Sequence, residues 1–468
     1  MLFNSVEFLF FFLITTTLFF LFPHRLRWTL LLFASCFFYM FFKPVYIFIL
    51  GFTIVIDYCA GILLERTMDE KRKSQFLLIS LIANIGVLAI FKYYNFINDQ
   101  VTGIASELGF ANHIPYLSIL LPIGLSFHTF QAMSYTIEVY RGNQKAEHHF
   151  GIYALYVMFY PQLVAGPIER PQNILHQFYE KKYFDYDRVA AGLRKMLFGY
   201  FKKVVIADRL ARYVDAVYKD VGHANSISIS IAIVFFAFQI YCDFSGYTDI
   251  ALGSAKVMGY DLMKNFDSPF LSKNVTEFWR RWHISLSSWF NDYLFTPLVI
   301  AKRDWGKMGV VFALFITFTI SGLWHGAAWT FVIFGMLHGS AVIFEFLTKK
   351  QRKKISKYLP DFLYNKISQL LTFIFLCIAW VFFRADSLSK VKDIFSHLFS
   401  TRLTFNLTQI SAEVGPFNLM VSVAVIFMLY FIRKLYESRY NMAFSIITFL
   451  LTIILSTGYG KTFIYFQF

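Results

Sequence analysis

The chain has 468 residues and is 57% hydrophobic and 20% aromatic, whereas charged residues make up only 16%, against about 25% in a soluble domain. This composition excludes an ordinary soluble protein and predicts a chain that crosses a membrane several times. The net charge of +15 does not indicate a nucleic-acid partner, because the basic residues lie in short loops between apolar segments. The four cysteines lie in apolar segments without metal or redox spacing, so we expect neither a disulfide framework nor a zinc site.

The apolar segments predict an all-α integral membrane protein. In chain order the candidate spans are residues 8–22, 28–42, 46–64, 76–91, 115–140, 150–165, 226–246, 308–324, 327–347, 366–384, 417–433 and 442–456. Several are shorter than the ~20 residues that cross a bilayer, which indicates tilted or re-entrant helices. The first segment lacks a basic start and a small-residue cleavage site, so we expect a retained span. Without repeats or linkers, we expect one domain over 1–468, with a helical core over 1–456 and a tail over 457–468.

The distribution of Lys and Arg predicts the orientation in the membrane. Basic loops are expected on the cytoplasmic face, at residues 23–27, 65–75, 141–145, 302–307, 349–357 and 433–439. Both termini are then extracytoplasmic, on the same side as the turn at 324–327. Residues 166–225 are rich in charged and aromatic residues and predict amphipathic helices on the cytoplasmic face.

Polar side chains within apolar segments are costly and are therefore candidate functional residues. His128 and Gln131 lie in the segment 121–142 at helical spacing, so they should face the protein interior. Asp243 and Asp249 directly follow another apolar segment. They predict a polar lining, a cation site, or ion-pair partners for Arg280 and Arg281.

The segment NVTEFWRRWHISLSSWFNDYLFTPL, residues 274–298, is too polar for a simple span and too aromatic for a loop. Asn274 and Glu277 predict a capped helix start, and Glu277 can pair with Arg281 one turn later. His283 lies on an aromatic face in this segment. One interpretation is an interfacial amphipathic helix, and the other is a re-entrant element that lines a polar cavity.

The segment SGLWHGAAW, residues 321–329, places a histidine between two apolar spans. His325 lies between Trp324 and Trp329, and Gly322 and Gly326 would let the backbones approach closely. A neutral imidazole is a usable general base near pH 7. The alternative is a histidine that only satisfies a helix end, and we expect such a packing role for His338.

The last six residues of the sequence, FIYFQF at 463–468, include four aromatic side chains and no charge. Interfacial aromatic residues commonly anchor membrane proteins at the membrane–water boundary. The predicted orientation also places Tyr465 on the same side as His325, and a tyrosine hydroxyl with an adjacent base can act as a nucleophile. An anchor and a working residue are therefore both open interpretations.

These motifs together resemble the membrane-bound O-acyltransferase (MBOAT) family, in its branch of alginate O-acetylation and peptidoglycan O-acetyltransferase proteins. The resemblance extends over nearly the whole chain and is carried by FNSVEFLFFF, LPIGLSFHTFQAMSYTIEVYRG, PQLVAGPIERP, DFSGYTDIALGSAKVMGY, FWRRWHISLSSWFNDYLFTPL, SGLWHGAAWTFVIFGMLHG and WVFFRA. It implies a ring of about 11–12 transmembrane and re-entrant helices around a central tunnel. It also implies that His325 is the catalytic histidine and that His283 is the second functional position.

The resemblance further implies an acetyltransferase of the bacterial inner membrane that uses acetyl-CoA as donor and holds no bound cofactor or metal. The tail of this chain resembles an FxYxxF motif of that branch, at Phe463, Tyr465 and Phe468. The resemblance implies that the tyrosine hydroxyl relays the acyl group. The partner is expected to be an extracytoplasmic, esterase-like (SGNH-type) O-acetyltransferase, and the acceptor a polysaccharide, alginate-like or peptidoglycan. We expect the tunnel to be lined by Trp324, Trp279, Arg280, Arg281, Asp243, Asp249, His128 and Gln131.

Two other function classes are compatible with a chain of this kind. A transporter or flippase would use the polar clusters to line a substrate path, but no inverted repeat is visible in the sequence. A membrane scaffold that recruits a secreted enzyme would not need His325. Consumption of acetyl-CoA by the purified protein separates an enzyme from both.

Overall fold

The computed structural model describes residues 1–118, 122–164, 166–400, 415–436, 441–456 and 463–464, and every regular element in these residues is helical. The chain divides into two compact units. The first comprises Met1–Lys195 and Ala251–Met263, and the second comprises Met196–Ile250 and Lys264–Phe468. The single domain expected from the sequence stays a prediction.

The first unit is built mainly from the helices of the N-terminal part of the chain. These are α1 (Val6–Leu21), α2 (His24–Met40), α3 (Tyr46–Arg66), α4 (Glu70–Leu88), a π-helix (Ala89–Tyr93), α5 (Tyr94–Glu107), α6 (Leu125–Tyr140), α7 (Phe150–Met158), α8 (Tyr160–Leu163), α9 (Pro171–Ile174), a 3₁₀ turn (Leu175–Phe178) and the first part of α10 (Tyr186–Tyr200). The end of α12, from Ala251 onward, also belongs to this unit.

Two of the predicted spans in the first unit differ from the helices that the structure contains. The helix within the predicted span 115–140 begins at Leu125, directly after Gly124, whose φ of 78° is left-handed. A Cβ on Gly124 would lie 2.5 Å from the carbonyl oxygen of Leu163, so the chain also needs a glycine for close packing here. The predicted span 150–165 is interrupted at Phe159, whose ψ of 110° separates α7 from α8.

The second unit contains the segments singled out as functional. Its elements are the end of α10, a π-helix (Phe201–Ala207), α11 (Asp208–Lys219), a 3₁₀ turn (Val221–His223), α12 (Ser226–Met258) up to Ile250, a 3₁₀ turn (Pro269–Leu271), α13 (Val275–Arg281), α14 (Ile284–Phe290), a π-helix (Asn291–Phe295), α15 (Thr296–Ala301), a 3₁₀ turn (Arg303–Trp305), α16 (Lys307–His325), α17 (Trp329–Leu347), α18 (Lys349–Ile355), α19 (Asp361–Arg384), α20 (Leu388–Ser400), α21 (Pro416–Tyr436) and α22 (Asn441–Leu455).

Among the described residues, six helical segments are long and apolar enough to cross a membrane. They are Tyr46–Arg66, Glu70–Glu107, Ser226–Met258, Lys307–His325, Trp329–Leu347 and Asp361–Arg384. Shorter apolar helices occur at Val6–Leu21, Asn418–Leu429 and Ser445–Leu455. The all-helical, multi-pass membrane fold expected from the sequence is therefore confirmed.

Candidate active site

A tight helical hairpin formed by α16 and α17 carries His325. A Cβ on Gly322 would lie 2.3 Å from the carbonyl oxygen of Phe331 and 2.8 Å from Cα of Gly335. These distances are too short for any side chain, so the two glycines let the helices pack backbone against backbone. Gly326 likewise has no room for a Cβ, which would lie 2.1 Å from the Phe331 ring. The close approach predicted from the glycines is thus confirmed, and it fixes the end of α16 where His325 lies.

His325 is buried among aromatic side chains, with 3% of its surface exposed. Its ring centroid lies 5.0 Å from that of Trp324, 5.5 Å from that of Phe383 and 5.9 Å from that of Phe334. Aromatic side chains in edge contact hold a ring in one orientation and exclude water from it. The end of α16 therefore holds a histidine that is packed against three aromatic rings and shielded from solvent.

His283 occupies the break between α13 and α14, where its backbone is left-handed with φ 45° and ψ 53°. This conformation is uncommon for a residue other than glycine and costs of order 1–3 kcal/mol. Its side chain is completely buried. The segment of residues 274–298 is therefore not one continuous helix, and His283 lies at the break.

Asn265 fixes the orientation of the His283 ring. The backbone N–H of Ser285 donates to Asn265 Oδ1 over 3.2 Å, so this atom is the amide oxygen. His283 Nδ1 lies 3.2 Å from the same oxygen, which can only accept. Nδ1 therefore carries the hydrogen, and the neutral ring has its lone pair on Nε2. No signal in the sequence linked Asn265 to His283.

Burial lowers the pKa of His283, which lies outside the candidate spans. The imidazole is consequently neutral near pH 7, as a proton acceptor must be. The His283 ring centroid lies 6.1 Å from that of Trp324, which also contacts His325. The rings of both histidines predicted from the sequence thus contact the same tryptophan, Trp324.

Two further contacts hold α13 against α17. Trp279 Nε1 donates to His338 Nδ1 over 3.1 Å, so His338 has a specific hydrogen-bonding role beyond the packing expected of it. The Glu345 carboxylate accepts from the backbone N–H groups of Val275 (2.6 Å) and Thr276 (3.0 Å). A carboxylate at a helix N-terminus accepts from N–H groups that have no partner within the helix, and its negative charge interacts favourably with the helix dipole. Sequence patterns did not reveal this contact, because the two segments that it joins are far apart along the chain.

The two predicted arginines do not pair with the aspartates of α12. Arg281 pairs with Glu277 over 2.7 Å, which confirms the predicted contact one turn apart, and Arg280 is exposed. Asp243 and Asp249 instead pair with lysines of the π-helix Phe201–Ala207. The interpretation that Arg280 and Arg281 neutralise these aspartates is therefore wrong, because neighbouring lysines already do so.

Lys203 lies at the centre of this buried charge cluster. Its Nζ is 2.6 Å from Asp243 Oδ1 and 2.7 Å from Asp208 Oδ1, while the Nζ of Lys202 is 2.5 Å from Asp249 Oδ2. Burial acts to lower the pKa of Lys203, but the two carboxylates outweigh burial and raise that pKa above its ordinary value. Among the described residues, no group of three or more His, Cys, Asp or Glu side chains could hold a metal ion.

Part of the C-terminal motif lies one aromatic ring away from His283. Phe463 is completely buried, and its ring centroid is 4.4 Å from that of Tyr247 and 5.5 Å from that of Phe244. The Phe244 ring is in turn 4.7 Å from the ring of His283. Tyr465 and Phe468 lie outside the described residues, so the predicted relay itself stays a prediction.

The remaining candidates, His128 and Gln131, belong to the first unit. Both are buried in α6. The amide of Gln131 donates to the carbonyl oxygen of Tyr156 over 2.6 Å, and the hydroxyl of Tyr156 donates back to the carbonyl oxygen of Gln131 over 3.0 Å. This reciprocal pair fastens α6 to α7, and the role of either residue as a tunnel lining stays a prediction.

Comparison with known proteins gives a consistent result. The family model described as MBOAT, membrane-bound O-acyltransferase family, matches residues 143–387, which include both histidines and the aspartates of α12. A probable alginate O-acetylase of Pseudomonas aeruginosa is 34% identical over 86% of this chain and 75% of its own length. A peptidoglycan O-acetyltransferase of Helicobacter pylori is 33% identical over 78% of this chain and 72% of its own length. A teichoic acid D-alanyltransferase of Bacillus subtilis is 28% identical over 58% of this chain and 70% of its own length.

Proposed function

The chain belongs to the membrane-bound O-acyltransferase family, and from that premise we propose that it transfers acetyl groups from cytoplasmic acetyl-CoA toward an envelope or secreted polysaccharide. It is a multi-pass membrane acyltransferase. The observation that carries the proposal is the pair of buried histidines on one tryptophan, with the proton of His283 directed to Asn265.

The proposed first step loads the acetyl group onto Tyr465. The tyrosine oxygen attacks the thioester carbonyl, a carbon–oxygen bond forms and the carbon–sulfur bond breaks. The phenol has an ordinary pKa near 10 and therefore needs a base. In our proposal His325 takes the phenolic proton and returns it to the departing CoA thiolate. His283 assists by orienting His325, because the neutral ring with Nδ1–H on Asn265 can only accept at Nε2. The alternative, polarisation of the thioester carbonyl, would require a protonated ring.

The proposed second step releases the acetyl group on the extracytoplasmic side. A serine hydroxyl of an esterase-like partner attacks the tyrosyl ester, its proton passes to the leaving phenolate, and the serine ester then acetylates a sugar hydroxyl. A phenolate leaves more readily than an alkoxide because phenol is the stronger acid. The burial of Phe463 near His283 supports this route. Phe463 precedes Tyr465 by two positions, and its ring packs against Phe244 in the second unit.

The acceptor we propose is an alginate-like exopolysaccharide, since several relatives named as probable alginate O-acetylases match most of the chain. Peptidoglycan is the alternative, since a peptidoglycan O-acetyltransferase matches with similar identity. The same chemistry serves both polymers, and in our proposal the partner selects the sugar. We place the enzyme in the bacterial inner membrane with both termini outside, as the charges of the loops favour.

The deciding experiment follows labelled acetyl from acetyl-CoA, first as loading of the purified protein and then as acetylation of polymer in cells that also contain the partner. His325→Ala should remove loading, and Tyr465→Phe should abolish acetylation of the polymer while the protein remains folded and inserted. His223→Ala is the control, because this histidine is in the second unit but exposed. Loading by His325→Ala would exclude its assigned role, and normal polymer acetylation by Tyr465→Phe would exclude the relay. Absence of any acetyl-CoA consumption by the wild type would favour a transporter or a scaffold.

A further inference from the structure

A hydrogen bond attaches the C-terminal tail to the charge cluster of α12. The backbone N–H of Ile464 donates to Asp243 Oδ2 over 2.7 Å, and Ile464 itself is 3% exposed. The other carboxylate oxygen of Asp243 binds Lys203 over 2.6 Å. Asp243 thus uses one oxygen to hold its own position and the other to hold the tail.

We propose that Asp243 is a positioning residue that docks the tail. By holding the backbone of Ile464, it fixes the position from which the chain continues to Tyr465, near the two-histidine site. This inference rests on the proposed acyl relay at Tyr465. Ile464 directly precedes Tyr465, and consecutive Cα atoms are about 3.8 Å apart. A reacting hydroxyl misplaced by about 1 Å can lose roughly a hundredfold in rate, so the fixed anchor has a kinetic purpose.

Ring contacts supply the second half of the dock. Phe463 packs on Tyr247 at 4.4 Å and on Phe244 at 5.5 Å, and both rings lie on α12 next to Asp243. The hydrogen bond fixes the direction of the backbone at Ile464, and the ring contacts fix how far the Phe463 side chain inserts against α12. A hydrophobic contact alone would let the tail slide, whereas a carboxylate that accepts from one N–H group selects one register.

The cluster offers a matched comparison within itself. Asp208 and Asp243 both pair with Lys203, at 2.7 and 2.6 Å, and each is 3% exposed. Within the described part of the chain, the backbone N–H of Ile464 donates to Asp243 and not to Asp208. Loss of either carboxylate therefore disturbs the charge of Lys203 in a similar way, while only one of them is expected to release the tail.

The test combines hydrogen exchange of the C-terminal peptide with the rate of acetyl transfer to polymer in the full-length protein. Asp243→Ala should abolish protection of the Ile464 amide and lower transfer by about 10- to 100-fold, the loss expected for a hydrogen bond to a charged group. The KM for acetyl-CoA should stay unchanged. Asp208→Ala should keep the protection, and Asp243→Asn should restore it, since an amide oxygen still accepts an N–H group.

A second variant avoids any change in the charge cluster. Ile464→Pro removes the N–H donor and should reproduce the loss of transfer seen in Asp243→Ala, whereas Ile464→Val keeps the donor and should behave as wild type in both transfer and exchange. Equal loss of protection in Asp208→Ala and Asp243→Ala, or normal transfer in Ile464→Pro, would overturn the inference. Tyr465→Phe separates the two proposals: it should lose transfer yet keep the exchange protection, and normal transfer in it would refute the relay alone.

Discussion

The indole nitrogen of Trp279 donates a hydrogen bond to Nδ1 of His338, and this 3.1 Å contact joins the helix that precedes His283 to the helix that follows His325. The two histidines of the site therefore depend on a third for their mutual position. Glu345 strengthens the same junction by capping α13. The junction is buried, so loss of either partner leaves a polar atom without water to replace it.

We expect Trp279→Phe to lower the free energy of unfolding by about 1–3 kcal/mol, because His338 Nδ1 would remain buried without its donor. His338→Leu should cost a similar amount. The double variant should cost less than the sum of the two, since no unsatisfied polar atom then remains. Unfolding in detergent, followed by far-UV circular dichroism, measures the coupling, and strictly additive losses would contradict it.

The carboxamide of Asn265 should set the pH at which His283 works. Asn265→Asp places a negative charge beside Nδ1–H and raises the pKa of His283. A protonated ring can no longer accept a hydrogen bond at Nε2 to orient His325, so the acid limb of the transfer rate should move to higher pH than in the wild type, where burial lowers that pKa. Asn274→Asp adds the same charge at a helix cap and should leave the pH profile unshifted. Coincident profiles for Asn265→Asp and wild type would disprove this role.

Folding should depend on the neutral state of His283 as well. Its pKa is lowered in the folded protein, while an unfolded histidine titrates near pH 6.5. The folded state therefore binds fewer protons below that pH, so the stabilisation is complete above about pH 6.5 and decreases as the pH falls. Unfolding at about pH 7.5 and about pH 5.5, on either side of that value, should show a smaller decrease for His283→Gln than for wild type. An equal decrease in both would assign the acid sensitivity to other groups.

The glycine crossing of α16 and α17 should tolerate no side chain. Gly322→Ala would place a Cβ 2.3 Å from a backbone carbonyl oxygen, which can yield only if the helices separate and His325 moves. We expect the folded yield and the acetyl transfer to fall together. Gly86→Ala is the matched control, because a Cβ on that helical glycine of α4 would meet no atom within 4 Å and should add up to about 1 kcal/mol of stability. Unimpaired transfer in Gly322→Ala would show that the crossing can relax.

Removal of the ammonium group of Lys203 should be among the most damaging single changes in the second unit. Lys203→Met would leave Asp243 and Asp208 buried without their shared cation, at a cost of about 3–5 kcal/mol. Lys264→Met removes a lysine whose pair with Asp267 is solvent-exposed and should cost at most about 1 kcal/mol. The amount of monodisperse protein in detergent provides the first measurement, and equal yields of the two variants would contradict the expectation.

Local patterns predicted much of this molecule. The cap at Asn274, the pair of Glu277 with Arg281 and the glycines beside His325 all depend on residues within a few positions of one another. The break at His283 was not predicted, because helical spacing alone placed His283 on a continuous aromatic face. Spacing along a helix determines such contacts directly. The family resemblance added the fold class and the acyltransferase activity, both confirmed by the comparisons.

Contacts between distant segments could not be predicted in this way. Asn265 lies 18 positions from His283, and Ile464 lies 221 positions from its acceptor Asp243. A lysine near an aromatic, basic segment is more often an interfacial residue, so Lys203 carried no sign of a buried ion pair. The aspartates of α12 were recognised as candidates, but one of the three alternatives considered for them, ion pairs with Arg280 and Arg281, was wrong because Lys203 and Lys202 pair with them.

The left-handed backbone at His283 also bears on how this protein would respond to laboratory evolution. Glycine, and to a lesser degree asparagine, adopts this left-handed backbone with less strain, a difference of about 1–2 kcal/mol for glycine. Only histidine, however, provides the imidazole. A library of variants at position 283 that is selected for heat tolerance alone should become enriched in glycine or asparagine. The same library screened for turnover would retain histidine, so the two selections would diverge at one position.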